Sequence, residues 1–123
     1  MGVIHRKRSG DPATFQWEGV PVERYEGSTD AVTKQVLIGA RDGAANFAIR
    51  YFEIAPGAAS ALDTHAHDHG VVVTRGRGVV RLGDDRHAIG EGDVVYIAPG
   101  ELHQFENPGP DPLGFLCVIP PKR

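Results

Sequence analysis

The sequence of residues 65–75, HAHDHGVVVTR, alternates three histidines with other residues and then continues into a run of valines. In an extended strand, side chains two positions apart point to the same face. His65, His67 and His69 therefore share a face with the first and third valines of the run. If that apolar face lines the inside of a barrel, the three imidazoles point inward near the barrel's mouth.

A fourth histidine, His103, lies 34 residues after His69, at the end of the segment PGELH. By the same alternation it shares a face with Phe105 on its own strand. Imidazole is the commonest protein metal ligand, and a nitrogen-rich site suits Fe, Mn, Ni, Cu or Zn. The pattern predicts a divalent transition metal, with Fe favoured, held by His65, His67, His69 and His103. The alternative is a histidine cluster that binds metal only adventitiously.

The spacing of the first three histidines sets a geometric condition. On a straight strand the Cα atoms of His65 and His69 lie about 13 Å apart, at roughly 3.3 Å per residue. Metal–nitrogen bonds measure only about 2.0–2.1 Å. Both residues reach one ion only if the strand bends or bulges, for which Gly70 is a candidate. Otherwise one of the three contacts the substrate or supports a ligand.

Short strands separated by turns are predicted along the rest of the chain. Sixteen glycines and nine prolines interrupt runs rich in Val, Ile, Phe and Tyr, the residue types that favour strands. Many short strands at regular spacing indicate an all-β sandwich or barrel. The predicted strands lie near residues 31–38, 46–54, 64–75, 78–82, 86–89, 93–97, 103–107 and 113–119.

The first 30 residues are less regular and form a predicted N-terminal extension (1–30) to a barrel of residues 31–123. The extension carries four apolar side chains at short intervals. We expect them to pack against the barrel or against a second subunit: Phe15, Trp17, Val20 and Val22.

Composition excludes several classes of partner. A chain of 123 residues with a net charge of −3 is expected to form one domain without affinity for nucleic acid. It has no apolar stretch long enough to span a membrane and no secretory signal, so a cytoplasmic location is expected. Cys117 lies in an apolar run and is expected to be a small buried hydrophobe. His5 and His87 stand alone and are expected to be structural or exposed.

Two motifs identify a resemblance to the cupin superfamily, specifically to small single-domain cupins. The second cupin motif, G-x5-P-x-G-x2-H-x3-N, is matched by Gly92, Gly100, His103 and Asn107, with Ala98 in place of its proline. Of the first motif, Gly57 fits loosely, and His65 and His67 supply the His-x-His pair. The motif's glutamate is absent. Counting back from the Gly-x-Gly that begins at residue 76 places His69 at its position, as a replacement ligand.

The resemblance implies a double-stranded β-helix, a jelly-roll barrel that is often a homodimer and holds a divalent metal. Cupin functions include dioxygenases, isomerases, epimerases, decarboxylases, storage proteins and sugar sensors, so the fold does not choose the reaction. With a fourth histidine instead of glutamate, the ligand set offsets none of the ion's charge and favours anionic or enolisable substrates.

We therefore expect a metal-dependent oxygenase, such as an iron dioxygenase, acting on a small chelating substrate. The alternatives are a non-redox isomerase or decarboxylase and a non-catalytic small-molecule-binding cupin. Non-redox chemistry requires an acid or base, and three carboxylates lie nearby in sequence. Asp68 is expected to face away from the histidines and Glu101 to be a turn residue, whereas Asp63 has no assigned role.

Overall fold

The computed structural model describes residues 2–11, 14–25 and 31–121. Within these residues the chain forms nine strands, one short 3-10 turn at Ala40–Asp42, and no α-helix. No helix in this part of the chain is long and apolar enough to cross a membrane. The strands are β1 Glu23–Arg24, β2 Val32–Ile38, β3 Ala48–Ile54, β4 His69–Arg75, β5 Arg77–Leu82, β6 Asp85–Gly90, β7 Val94–Ile97, β8 His103–Glu106 and β9 Leu113–Ile119.

The strands form two antiparallel sheets. The larger has the order β1-β2-β3-β9-β4-β7, and the smaller has the order β6-β5-β8. Strands distant in sequence are neighbours, as where β9 lies between β3 and β4. The predicted all-β jelly-roll barrel is confirmed.

Alternating residues of the strands fill the space between the sheets. Phe115 of β9 stacks on Phe52 of β3, with ring centroids 5.6 Å apart, and on Phe105 of β8, at 4.2 Å. Val71 and Val73 of β4 are also fully buried. Each such side chain contributes about 1.5–3 kcal/mol through burial. The inward face of β4 is therefore the valine face, as predicted, and His69 begins it.

The N-terminal segment packs on the outer face of the larger sheet of its own chain. The rings of Phe15 and Trp17 lie 5.7 and 5.2 Å from that of Tyr51, and the buried Gln35 donates to the Phe15 carbonyl at 2.8 Å. Val22 is 47% exposed, so the prediction that it packs is wrong. The boundary near residue 30 lies outside the described residues, and the division into extension and barrel stays a prediction.

The second motif has a structural explanation in its turns. Gly92 and Gly100 have φ of +89° and +76°, which glycine adopts without steric cost. Asn107 is buried, and its Nδ2 donates to the carbonyls of Ile54 and Asp111 at 2.9 and 2.8 Å. Its side chain therefore joins the end of β3 to the loop before β9.

Candidate metal centre

A bend in the chain before β4 brings the histidine rings together. Ala66 and His67 form the bend, and the strand begins only at His69. The prediction of a strand from residue 64 is therefore wrong for residues 64–68. Gly70 is not the bend, because it pairs regularly with neighbours in β7 and β9. The bend places the ring centroids of His65 and His69 only 5.1 Å apart.

Backbone contacts with the second motif hold this bend in place. The Gly100 amide donates to the His65 carbonyl at 2.7 Å. Asp63 and His103 exchange two backbone hydrogen bonds of 3.0 and 2.9 Å. The loop that carries His65 is thus fixed against the strand that carries His103.

Three histidines converge on one point. One ring nitrogen from each of His65, His69 and His103 lies within 4.8 Å of the others. His65 comes from the bent loop, His69 from the larger sheet and His103 from the smaller sheet. Of these, His69 and His103 are buried.

His67 lies beside this group. Its ring stacks nearly parallel on His65, with centroids 5.2 Å apart, and its centroid is 4.7 Å from that of His69. The residue is half-buried, and its Nδ1 donates to the Asp68 carbonyl at 3.2 Å. A ligand role for His67, as for the other three histidines, stays a prediction.

The hydrogen bonds of two of the rings leave Nε2 free. His103 Nδ1 donates to the Glu101 carbonyl at 2.9 Å, which puts the lone pair of the neutral ring on Nε2. His69 Nδ1 lies 3.4 Å from Cys117 Sγ, and His69 Nε2 is buried without a hydrogen-bond partner. A buried unpaired polar atom costs about 1–3 kcal/mol, and a metal ion would remove that cost. The residues therefore fit a metal.

Electrostatics keep the rings in the form that binds metal. Burial, with a further contribution from His103, lowers the pKa of His69 to about 3. Burial also lowers the pKa of His65, against an opposing effect of Asp63. Both rings are neutral at pH 7, and only neutral imidazole can coordinate an ion.

The pocket beside the histidines is apolar with a few polar groups. Its walls include Phe52, Phe105 and Phe115. Polar groups among its lining residues are Tyr25, Arg50, Ser60, Asp63 and Cys117. An apolar cavity with few polar groups is typical of a small-molecule site.

Two of the three nearby carboxylates point away from the pocket or belong to a turn, as the sequence predicted. Asp68 accepts a hydrogen bond from the exposed Tyr96 hydroxyl at 3.0 Å, away from the pocket. Glu101 accepts from the Ala98 amide at 3.0 Å and so belongs to the turn. Proline, which the second cupin motif has at the position of Ala98, has no amide hydrogen and could not donate this bond. Asp63 remains, with Oδ2 3.6 Å from His65 Nε2.

Sequence reasoning missed Arg50 and Tyr25 as pocket residues. On β3, Arg50 shares a face with Ala48 and Phe52. Phe52 belongs to the buried interior cluster, and Ala48 packs against it. A lone cation on an apolar face was the signal that could have found it. Cys117 is buried as predicted, but its sulfur also contacts the Arg50 guanidinium at 3.4 Å.

The remaining lone histidines have the roles expected of them. His5 Nε2 lies 2.6 Å from Asp42 Oδ1, outside the pocket. His87 is exposed on β6.

Comparison with known proteins gives consistent matches. The family model described as cupin domain matches residues 50–119. The chain is 38% identical over 113 residues to the 1-methylthio-D-xylulose 5-phosphate methylsulfurylase of Rhodospirillum rubrum, covering 89% of this chain and 71% of that protein.

Two solved structures are similar throughout. A cupin-2 domain of Rhodospirillum rubrum superposes with a TM-score of 0.80 at 35% identity, covering 96% of this chain and 78% of the other. The polyketide cyclase RemF of Streptomyces resistomycificus gives a TM-score of 0.79 at 28% identity, covering 85% and 76%.

Proposed function

This chain belongs to the cupin domain family, and we propose that it is a metal-dependent enzyme that activates the carbonyl group of a small chelating substrate. The observation that carries the proposal is the convergence of three ring nitrogens within 4.8 Å of one another. Among them, His69 Nε2 is buried and lacks any other partner.

The pocket and the relatives support this substrate class. The relative at 38% identity is named for a xylulose phosphate, which is a ketose derivative, and RemF is named for polyketides. Both are carbonyl compounds with acidic neighbouring C–H groups. A neutral histidine set also favours substrates that become anionic.

In this proposal His65, His69 and His103 hold the ion, and His67 is either a fourth ligand or a contact for the substrate. A bound divalent ion supplies Lewis-acid polarisation of the carbonyl oxygen. Asp63 accepts the proton from the carbon next to the carbonyl, and the C–H electron pair moves toward the carbonyl oxygen. We assign this role to Asp63 because it lines the pocket and its Oδ2 lies 3.6 Å from His65 Nε2, while its Oδ1 accepts from the Thr64 amide. The phenylalanine walls exclude water from the reacting carbon.

The second candidate is an Fe-dependent oxygenase. The observation that favours it is a ligand set composed of imidazoles next to an apolar pocket, which suits a redox metal and a nonpolar substrate. The two candidates differ in the metals that support turnover, because Zn²⁺ has no redox chemistry.

The first test is metal content. Protein purified without chelators is analysed for metals, beside His69→Ala, His103→Ala and the control His87→Ala, which removes an exposed histidine on β6. We expect about one ion per chain in the wild type and the control, and loss of metal in the two site variants. Unchanged metal content in both site variants would refute the metal centre.

The second test is the reaction. Zn- and Mn-loaded protein is incubated with D-xylulose 5-phosphate in D₂O, and exchange of the C–H protons next to the carbonyl is followed by NMR. Fe-loaded protein is assayed in parallel for O₂ uptake with 2,4-pentanedione. Exchange with Zn²⁺ supports carbonyl activation. O₂ uptake with Fe²⁺ and no exchange with any metal would support the oxygenase instead.

A further inference from the structure

Arg50 is a cation on the inner face of β3 that makes no ion pair with an acidic side chain of the described residues. Its position on β3 directs its side chain into the space between the two sheets. On the neighbouring strand β9, its cross-strand partner is Cys117. Among the described residues its guanidinium donates only to Cys117 Sγ, at 3.4 Å, and its Nε is buried with no hydrogen-bond partner. A guanidinium has five N–H donors, so most of its capacity is unused.

The surroundings of Arg50 do not neutralise it. The guanidinium lies over the ring of Phe52, 4.8 Å from the centroid, and a thiol is a weak acceptor. Arginine stays protonated in proteins, and Arg50 is half-buried with its Nε fully out of solvent. A charge that is partly removed from water without a counter-ion is unfavourable. A group that retains its charge in an apolar pocket is therefore positioned for a ligand that brings the opposite charge.

Arg50 also lies close to the histidine group. Its Nη2 and the Nδ1 of His69 are each 3.4 Å from the same sulfur atom, Cys117 Sγ. All three residues line the pocket with His65 and His103. A molecule in this pocket therefore meets the metal ligands and the guanidinium together.

Charge within the pocket supports the same conclusion. Imidazoles that coordinate a metal ion do so in their neutral form. Asp63, the carboxylate that lines the pocket, has a side chain that is 46% exposed and lies beside His65. With a divalent ion bound, the pocket carries more positive than negative charge. The imbalance favours a substrate that contributes negative oxygen atoms.

We propose that Arg50 is the anion-binding residue of this pocket and selects substrates with a carboxylate, phosphate or enolate-forming oxygen group. This inference rests on the proposed function, because it places the anion beside the metal centre. Arginine suits the role because its planar fork binds two oxygens of one oxyanion at once.

The test compares anion binding by Zn-loaded wild type, Arg50→Met, Arg50→Lys and Arg86→Met, measured by titration calorimetry with oxalate and with inorganic phosphate. Arg86→Met is the matched control, because it removes the same charge from an exposed site outside the pocket. The oxalate and phosphate titrations distinguish a carboxylate subsite from a phosphate subsite.

We expect Arg50→Met to weaken binding of the preferred anion by about ten- to a hundred-fold, as for loss of a charge-assisted hydrogen bond. Arg50→Lys should be intermediate, since it retains the charge without the fork, and Arg86→Met should match the wild type. Zn²⁺ affinity, measured by competition with a chromophoric chelator, should be unchanged or tighter in Arg50→Met, because a repelling cation has been removed.

Equal anion affinity in the wild type and Arg50→Met, or no binding of either anion by the wild type, would overturn the inference while leaving the metal centre intact. Parallel losses of Zn²⁺ affinity and thermal stability in both Arg50 variants would also overturn it, since they would indicate a packing role. If the wild type holds no metal, the proposed function fails, and the same four proteins are titrated without metal. The Arg50 subsite is then supported if the four proteins keep the same order of anion affinity at lower overall affinity. It is refuted if their anion affinities do not differ.

Discussion

Replacing His69 by leucine should have opposite effects on the metal-free and the metal-loaded protein. In the metal-free protein His69 Nε2 is buried without a partner, and such an atom costs about 1–3 kcal/mol. Leucine has a similar volume and no polar atom, and the side chain is only 6% exposed. Among the described residues the variant loses one weak hydrogen bond, to Cys117 Sγ, and the ring contacts with the neighbouring histidines. We therefore expect metal-free His69→Leu to be more stable than the metal-free wild type by about 1 kcal/mol.

Metal reverses this order. An ion that binds only the folded state stabilises it by about 2.7 kcal/mol at a hundred times its dissociation constant. Excess Zn²⁺ should therefore raise the stability of the wild type well above that of His69→Leu, which lacks a ligand. Urea unfolding, followed by circular dichroism with EDTA and with Zn²⁺, measures both differences.

The pH dependence of the metal-free protein gives an independent measurement. The folded-state pKa of His69 is about 3, against roughly 6.5 in an unfolded chain. Below pH 6.5 the unfolded state therefore binds the proton that the folded state excludes, and stability falls as pH decreases. Between pH 7.5 and pH 5 this single group should cost the wild type about 2 kcal/mol, and His69→Leu should lack that part of the loss.

His103→Leu serves as the matched control, because it removes a proposed ligand whose ring also donates to the Glu101 carbonyl. Loss of that hydrogen bond should lower stability by about 1 kcal/mol without metal. Two results would contradict this account of His69: a metal-free His69→Leu less stable than the wild type by more than about 1 kcal/mol, or equal losses of stability in the wild type and His69→Leu on acidification.

Three further predictions concern other parts of the chain. Asn107→Ala should lower the free energy of unfolding by about 3 kcal/mol, measured by urea titration, because it leaves the carbonyls of Ile54 and Asp111 without their donor; a change below 1 kcal/mol would contradict this. Asp63→Asn should slow proton exchange into substrate by about 10²–10⁴-fold with normal metal content, and an unchanged rate would exclude Asp63 as the base. Val94→Glu should convert the expected homodimer to a monomer in light scattering, because Val94 is 74% exposed on an edge strand beside other exposed apolar side chains; a wild type that is already monomeric would contradict the homodimer.

Eight of the nine strands in the described residues were predictable, because most are short apolar runs between turn residues, and alternation correctly oriented β4. The exception is β1, a two-residue polar strand that no such run marks. The start of β4 was not predictable in this way. Alternation treats residues 64–75 as one strand, whereas the bend at Ala66 and His67 depends on the hydrogen bond from the Gly100 amide to the His65 carbonyl. That contact joins residues 35 positions apart, and no local pattern encodes it.

The same limitation explains which pocket residues were missed. His65 and His103 belong to recognisable motifs, whereas Arg50 belongs to none. The role of Arg50 depends on which residue of β9 lies opposite it. Cross-strand pairing with Cys117 sets the guanidinium beside a thiol rather than a carboxylate. A sequence shows that an inward cation needs a partner, and only the fold shows that none of the described residues provides one.

His69 and Arg50 are connected through the thiol of Cys117. Both contact Cys117 Sγ, so a glutamate at position 69, where the cupin motif places one, would lie near Arg50. Opposite charges at such distances attract strongly in a poorly solvated site, and the guanidinium would then be occupied by the protein's own carboxylate. Histidine at position 69 retains a nitrogen that could bind a metal, and it leaves Arg50 without a carboxylate partner among the residues that the structure describes. If the proposed metal centre is correct, the negative charge that the usual ligand set supplies is expected to come from the substrate, so we expect this pocket to prefer an anionic ligand.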